Sequence, residues 1–147
     1  MRKAKILLIL TVAAFTFSIS GCKTEGCMDM DSVNYDAGAD IDDGSCLYEG
    51  KVVLWYNEAT SKALIADGAT TLTVKLNGTP AGNTATSMFW TANVECGADG
   101  TLSITEDLGN VKTQSFSYTV EDQTGWEYWS GTLNFNANTC YASELAW

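Results

Sequence analysis

The apolar residues of this chain fall into two unlike patterns. From residue 6 to 19 they are almost continuous and follow a charged start at Arg2, Lys3 and Lys5. A run of that length matches the apolar region of a cleaved, helical signal peptide and is shorter than the roughly 20 residues of a spanning helix. From residue 51 onward the pattern changes to short runs rich in Val, Thr, Tyr, Phe and Trp, broken by Gly, Asn and Asp. These predict strands over 51–56, 71–76, 87–90, 102–105, 114–120, 129–135 and 141–147. The clearest is 71–76, where Leu72, Val74 and Leu76 alternate with Thr71, Thr73 and Lys75, as a half-buried strand requires. Leu102 and Ile104, and Phe116, Tyr118 and Val120, are expected to face inward in the same way. Asn77-Gly78 predicts a hairpin turn, with Pro80 and Gly82 extending the break. Ala63-Leu64-Ile65-Ala66 fits a strand or one helical turn, and no amphipathic helix is expected outside the leader. The expected fold is all-β: a single small antiparallel β-sandwich of about seven strands.

Between the two patterns lies a segment, 26–46, with six aspartates, no cation and a cysteine near each end. It suggests a small disulfide-closed loop rich in oxygen ligands. The organisation is then a signal peptide over 1–21, a tether over 22–25, the acidic loop over 26–46, a linker over 47–50 and the sandwich over 51–147. A formal charge of −10 becomes −13 once cleavage removes Arg2, Lys3 and Lys5. Such a polyanion disfavours nucleic acid or an anionic membrane surface as a partner, because both are bound through Lys and Arg.

Five cysteines, Cys22, Cys27, Cys46, Cys96 and Cys140, leave one over from pairing. Ile19-Ser20-Gly21-Cys22 resembles the lipobox of bacterial lipoproteins. That resemblance implies cleavage before Cys22, lipidation of its thiol and attachment to the membrane through the acyl chains. Four cysteines then remain for an oxidising compartment, where disulfides persist, and a Cys96–Cys140 bridge fits a small exported sandwich. The expected location is the cell envelope, anchored at the outer membrane, with the periplasmic or surface face left open.

The acidic loop places Asp29, Asp31, Asn34, Asp36, Asp40, Asp42 and Asp43 within fifteen positions, a candidate ligand set for Ca²⁺, which takes six to eight oxygens. An EF-hand is excluded by register: Gly44 at the sixth loop position puts Ala39 and Ile41 where oxygen ligands are needed. The absence of histidine leaves softer metals poorly served. The segment resembles a Cys-bounded, Asp-rich repeat of secreted and surface proteins of Bacteroidetes, through Gly26, Cys27, Asp29, Ser32, Asn34, Tyr35, Asp36, Ala39 and Asp42-Asp43-Gly44-Ser45-Cys46. The resemblance implies an extracytoplasmic spacer pinned by Cys27–Cys46 and similar to the calcium loops of thrombospondin type 3 repeats. Met30 stands where that repeat usually has proline, and the unit occurs once. A solvated, disulfide-closed spacer without metal is the competing reading.

Trp129-Ser130-Gly131-Thr132-Leu133, Cys96-Gly97, Phe116-Ser117-Tyr118 and Cys140 resemble small prealbumin-like or carboxypeptidase-regulatory-like sandwiches of Bacteroidetes lipoproteins. That likeness implies a fold and little function. Without histidine, Ser-His and Cys-His pairs cannot be built, and a glycosidase needs a cleft that sets two carboxylates at a defined spacing; no enzyme is expected. The expected function is a membrane-anchored lipoprotein with a non-catalytic sandwich and a spacer loop that binds Ca²⁺ or stays metal-free. The alternative is a carbohydrate- or protein-binding module using Trp126 and Tyr128. On a regular strand these two share a face while Trp129 points opposite. Set against that alternative, the same rings, with Trp55 and Trp90, would fill the core.

Overall fold

The computed structural model describes residues 21, 23–92, 94–98 and 101–147. Residues 1–20 of the expected signal peptide and Cys22, the expected lipidation site, lie outside the described residues. Among the described residues nine strands and one helix follow in order: β1 (Glu25–Gly26), β2 (Ile41–Asp42), β3 (Tyr48–Trp55), α1 (Glu58–Ala66), β4 (Thr71–Leu76), β5 (Thr79–Ala85), β6 (Leu102–Gly109), β7 (Thr113–Asp122), β8 (Glu127–Asn136) and β9 (Cys140–Glu144). The two shortest, β1 and β2, pair only with each other in the acidic segment; the other seven form a three-stranded sheet, β6-β3-β9, and a four-stranded sheet, β5-β4-β7-β8. The all-β sandwich is thus the fold, with one departure from an antiparallel plan: β9 runs parallel to β3, Lys51 facing Cys140 and Trp55 facing Glu144.

Alternation decides which side chains enter the core. Val52 and Leu54 of β3, Leu102, Ile104 and Leu108 of β6, Leu72, Val74 and Leu76 of β4, Val120 of β7, and Leu133 and Phe135 of β8 are buried together. Each fully buried side chain of this size contributes roughly 1.5–3 kcal/mol. Val53 and Trp55 point the other way, yet they are buried too. They join Val94, with Trp90, Ala98 and Cys140 packed around them, in a separate small cluster. The connection from β5 to β6 lies over this outer face and is fixed to β9 by the Cys96–Cys140 disulfide, whose Cα atoms are 6.0 Å apart. Trp55 and Trp90 therefore fill this second cluster and not the space between the sheets.

Several expected boundaries are corrected. Residues 48–50, expected as linker, already belong to β3. Residues 87–90, expected as strand, are turn and irregular chain. The strand that follows Asn77-Gly78 is β5, and it contains both Pro80 and Gly82. An edge strand tolerates proline because one side of its backbone needs no ladder donor. A register shift between Val74 and Lys75 leaves Ala81 as the extra residue beside it. The hairpin turn itself is as expected, with φ of 47° at Asn77 and 82° at Gly78, the left-handed pair of a two-residue loop.

The second correction is α1. Asn57 caps it, its Oδ1 accepting the Thr60 N–H at 3.0 Å, and Glu58 and Lys62 pair across one turn at 2.8 Å. At the other end the Ala69 N–H reaches Leu64 O and the Gly68 N–H reaches Ile65 O, with φ of 94° at Gly68. That is a Schellman stop. Leu64 is buried against the core, so the helix closes one end of the sandwich and leaves Asp67, its C-cap, at the rim. Among the described residues no helix is long and apolar enough to cross a membrane.

Candidate functional site

The acidic segment folds as a small unit docked on the sandwich. Cys27 and Cys46 form a disulfide with Cα atoms 4.9 Å apart, and both are buried as part of the main core. Asn34 ties the closing turn, donating through Nδ2 to Ser45 O and accepting the Leu47 N–H at Oδ1, both at 2.8 Å. The aspartates are occupied one by one. Asp36, Asp42 and Asp43 accept the backbone N–H of Gly38, Gly44 and Ser45 at 2.8, 3.0 and 2.9 Å, each closing its own Asx turn. Asp40 accepts the Thr24 N–H at 3.4 Å. Among the described residues no three acidic, histidine or cysteine side chains are placed to hold a metal ion. Of the candidate Ca²⁺ ligands, Asn34, Asp36, Asp40, Asp42 and Asp43 thus each meet a backbone group of the segment or its tether.

Asp29 and Asp31 instead share a cation of the protein. Lys112 Nζ lies 2.6 Å from Asp29 Oδ2 and 3.1 Å from Asp31 Oδ2, 5.7 Å from the centroid of the Tyr48 ring. The Tyr48 hydroxyl donates to Asp29 Oδ2 at 2.9 Å. Lys112 sits in the turn between β6 and β7, far from the loop in sequence, and nothing in its neighbourhood there marks it as a partner. Its ammonium, with the Asp31 backbone N–H, holds the Asp29 carboxyl below the usual range, and the two carboxylates push Lys112 up.

A lowered carboxyl contributes stability above its unfolded value and loses it as pH falls through the folded one; the raised lysine keeps its contribution until the strongly alkaline side. Docking is thus expected to be level through neutral pH and to weaken on acidification below about pH 4. Hydrogen exchange across residues 27–46 measures it. Lys112→Met should raise that exchange by a factor of roughly three already at neutral pH, since exposed pairs are individually weak, and should flatten the acid response.

The chain gathers aromatic rings at the other candidate. A cleft of about 570 Å³ is lined by Asp67, Trp126, Glu127, Tyr128, Trp129 and the pair Ala146-Trp147. Asp122 builds its approach: Oδ1 accepts the N–H groups of Thr124 and Trp126 at 2.7 and 3.0 Å, fixing the turn that presents Trp126. These bonds, the Thr124 hydroxyl first, hold the Asp122 carboxyl low. A register shift follows, with Glu121 facing Glu127 and Val120 facing Trp129, so Tyr128 is the unpaired bulge residue. Bulges re-aim side chains, and this one overturns the expected split. Tyr128 and Trp129 lie with ring centroids 5.8 Å apart in the same cleft as Trp126.

The residues after β9 complete the cleft. Trp129 Nε1 donates to Ala146 O at 2.8 Å, and Trp147 lies 5.3 Å from Tyr128 and 6.2 Å from Trp129 between centroids. Tyr128 donates its hydroxyl to Asp67 Oδ2 at 2.7 Å. Burial among the rings, then the Asp67 acceptor, pushes Tyr128 up to about 12, so the hydroxyl stays protonated at any physiological pH. Trp126 remains 66% exposed and Trp147 63%, too open to be core. Sequence reasoning reached Trp126 and Tyr128 but missed Trp147 and Asp67, which arrive from the chain end and the helix cap.

A second cleft, about 560 Å³, follows the seam between the acidic unit and the smaller sheet, with Asp31, Glu49, Lys51, Ser103, Thr105 and Asn138 on its walls. Its lining is of mixed charge and carries no aromatic ring. No family model, curated protein or solved structure matches this chain.

Proposed function

We propose that the chain is a lipid-anchored lipoprotein of the cell envelope, held at the outer membrane through Cys22, whose sandwich is a non-catalytic binding module. The observation that carries the binding half is the cleft at Trp126, Tyr128, Trp129 and Trp147, where two indoles stay about two-thirds exposed. Exposed apolar surface gathered in one place marks an interaction site more often than scattered single residues do. The lipobox-like residues 19–22 support the anchored half, as do two disulfides, which suit an oxidising compartment. The acidic unit is the base on which the module stands close to the lipid. Its carboxylates close turns and pair with Lys112, which supports the spacer role. A chain without histidine and with a charge of −10 supports neither the common nucleophilic pairs nor nucleic-acid binding.

Glycan and peptide arrays probed with the purified protein test the binding half. A signal that disappears in the Trp126→Ala and Tyr128→Ala variants is the expected result. Arrays that stay silent, or signals that both variants keep, would remove the cleft as the binding surface.

A further inference from the structure

We infer that the aromatic cleft is a site for a small organic ammonium ion, with Tyr128, Trp129 and Trp147 supplying ring faces and Asp67 and Glu127 the countercharge. This rests on the cleft being a binding site and adds the chemistry of what it binds.

Charge comes first. The walls carry two carboxylates, and no lysine or arginine lines the cleft among the described residues. Asp67 is the C-cap of α1, the helix end where backbone carbonyls place partial negative charge. Asp122, which accepts the Trp126 N–H at 3.0 Å, adds a third carboxylate at the turn beside the cleft. A phosphate, uronate or carboxylate ligand would meet charge of its own sign from every side. A cation meets the opposite sign, in a chain whose net charge is −10.

Ring geometry separates a cation from a neutral sugar. A sugar ring is a puckered chair whose C–H-rich face stacks best on a single broad aromatic plane. Here Tyr128 is inclined by 41° to Trp129 and 44° to Trp147, and the two indoles meet at 82°. The three rings pack on one another, with centroids 5.3 to 6.2 Å apart, so they present a faceted surface with no single broad plane; a compact cation can rest on it, and each exposed ring face attracts positive charge through its quadrupole.

The hydrogen-bond inventory agrees. The Tyr128 hydroxyl proton is committed to Asp67, and the Trp129 N–H to Ala146 O. What these two groups leave for a ligand is π faces and carboxylate oxygens, with the indole N–H groups of the exposed Trp126 and Trp147 at the margin. A sugar hydroxyl both donates and accepts and would find few donors here beside the two carboxylates; a quaternary ammonium needs neither and is held by charge and π faces alone.

The test uses the full chain in a polyoxyethylene detergent, titrated with choline chloride while tryptophan fluorescence and the indole N–H resonances are followed. The neutral isostere 3,3-dimethylbutan-1-ol and matched sodium chloride are run in parallel. Expected are saturation by choline, binding of the isostere weaker by at least about tenfold, and a loss of about fivefold or more in Trp147→Ala, whose ring is mostly exposed. Glu127→Gln should weaken choline without changing the isostere. Equal binding of choline and isostere overturns the inference, as does unchanged choline affinity in Trp147→Ala. A neutral disaccharide that saturates where choline does not also overturns it, yet leaves the cleft a binding site. Silence of choline, isostere and disaccharide together with silent arrays removes both readings.

Discussion

Replacing Cys96 and Cys140 together by alanine is expected to cost about 4 kcal/mol of folding free energy, the largest single effect available outside the sheet interior. The two residues lie 44 apart in sequence, and freeing them restores to the unfolded chain the entropy of a long loop. The bridge also fixes the β5–β6 connection over the outer face of the smaller sheet. Val53 and Trp55, on the central strand of that sheet, are covered there by Val94 and Trp90. Without the bridge the cover can lift, and an indole buried to 7% exposure meets water. Urea denaturation of the oxidised protein and of the double variant measures the difference. The reduced wild-type chain, which also loses Cys27–Cys46, should unfold at lower urea than the variant; a loss below about 1 kcal/mol in the variant would show that packing alone holds the connection.

Phe135→Ala is expected to cost about 3–5 kcal/mol, at the upper end for a buried aromatic. Phe135 is fully buried, and Phe116 meets it edge-on with centroids 5.3 Å apart. Its backbone neighbour across the sandwich is Gly50, where an added Cβ would fall 2.9 Å from Phe135 Cβ and 3.0 Å from Asn136 O. β3 and β8 thus approach closely at the root of the Phe135 side chain, and position 50 offers no side chain that could move in to fill the hole. Incomplete relaxation of this kind puts the penalty high in the range. The same urea measurement checks it, and a cost below about 1.5 kcal/mol would mean that β3 and β8 close together. Because Phe135 shares β8 with Tyr128 and Trp129, the variant should bind normally well below its transition and lose binding abruptly through it.

How far the sequence carries the structure is clear from particular positions. The period-2 run at 71–76 and the Asn77-Gly78 turn are local signals, and both hold in the fold. Pro80 and Gly82 mislead because composition marks a break, whereas an edge strand with a bulge accommodates both. The helix is signalled at its ends, by Asn57 and Gly68, more than by its short apolar stretch, and a search for amphipathic periodicity passes over it. Trp129 faces the cleft because one extra residue shifts the register, and no alternation rule foresees a bulge. Lys112, Asp67 and Trp147 come from remote parts of the chain, and their roles exist only once the sheets have assembled. The aspartates are legible as a cluster in the sequence, but the partner of each is not: Asp36, Asp42 and Asp43 face different backbone amides, and Asp29 and Asp31 meet Lys112.

The parallel pairing of β3 with β9 also sets an order of events. Antiparallel neighbours such as β4 and β5 can zip from a two-residue turn, but Lys51 must wait for Cys140, and contacts so remote in sequence slow folding. In a chain made from its N-terminus, the central strand of the smaller sheet is the first long strand to emerge and the last to gain its second neighbour. Until β9 arrives, one edge of β3 stays open to any other extended chain.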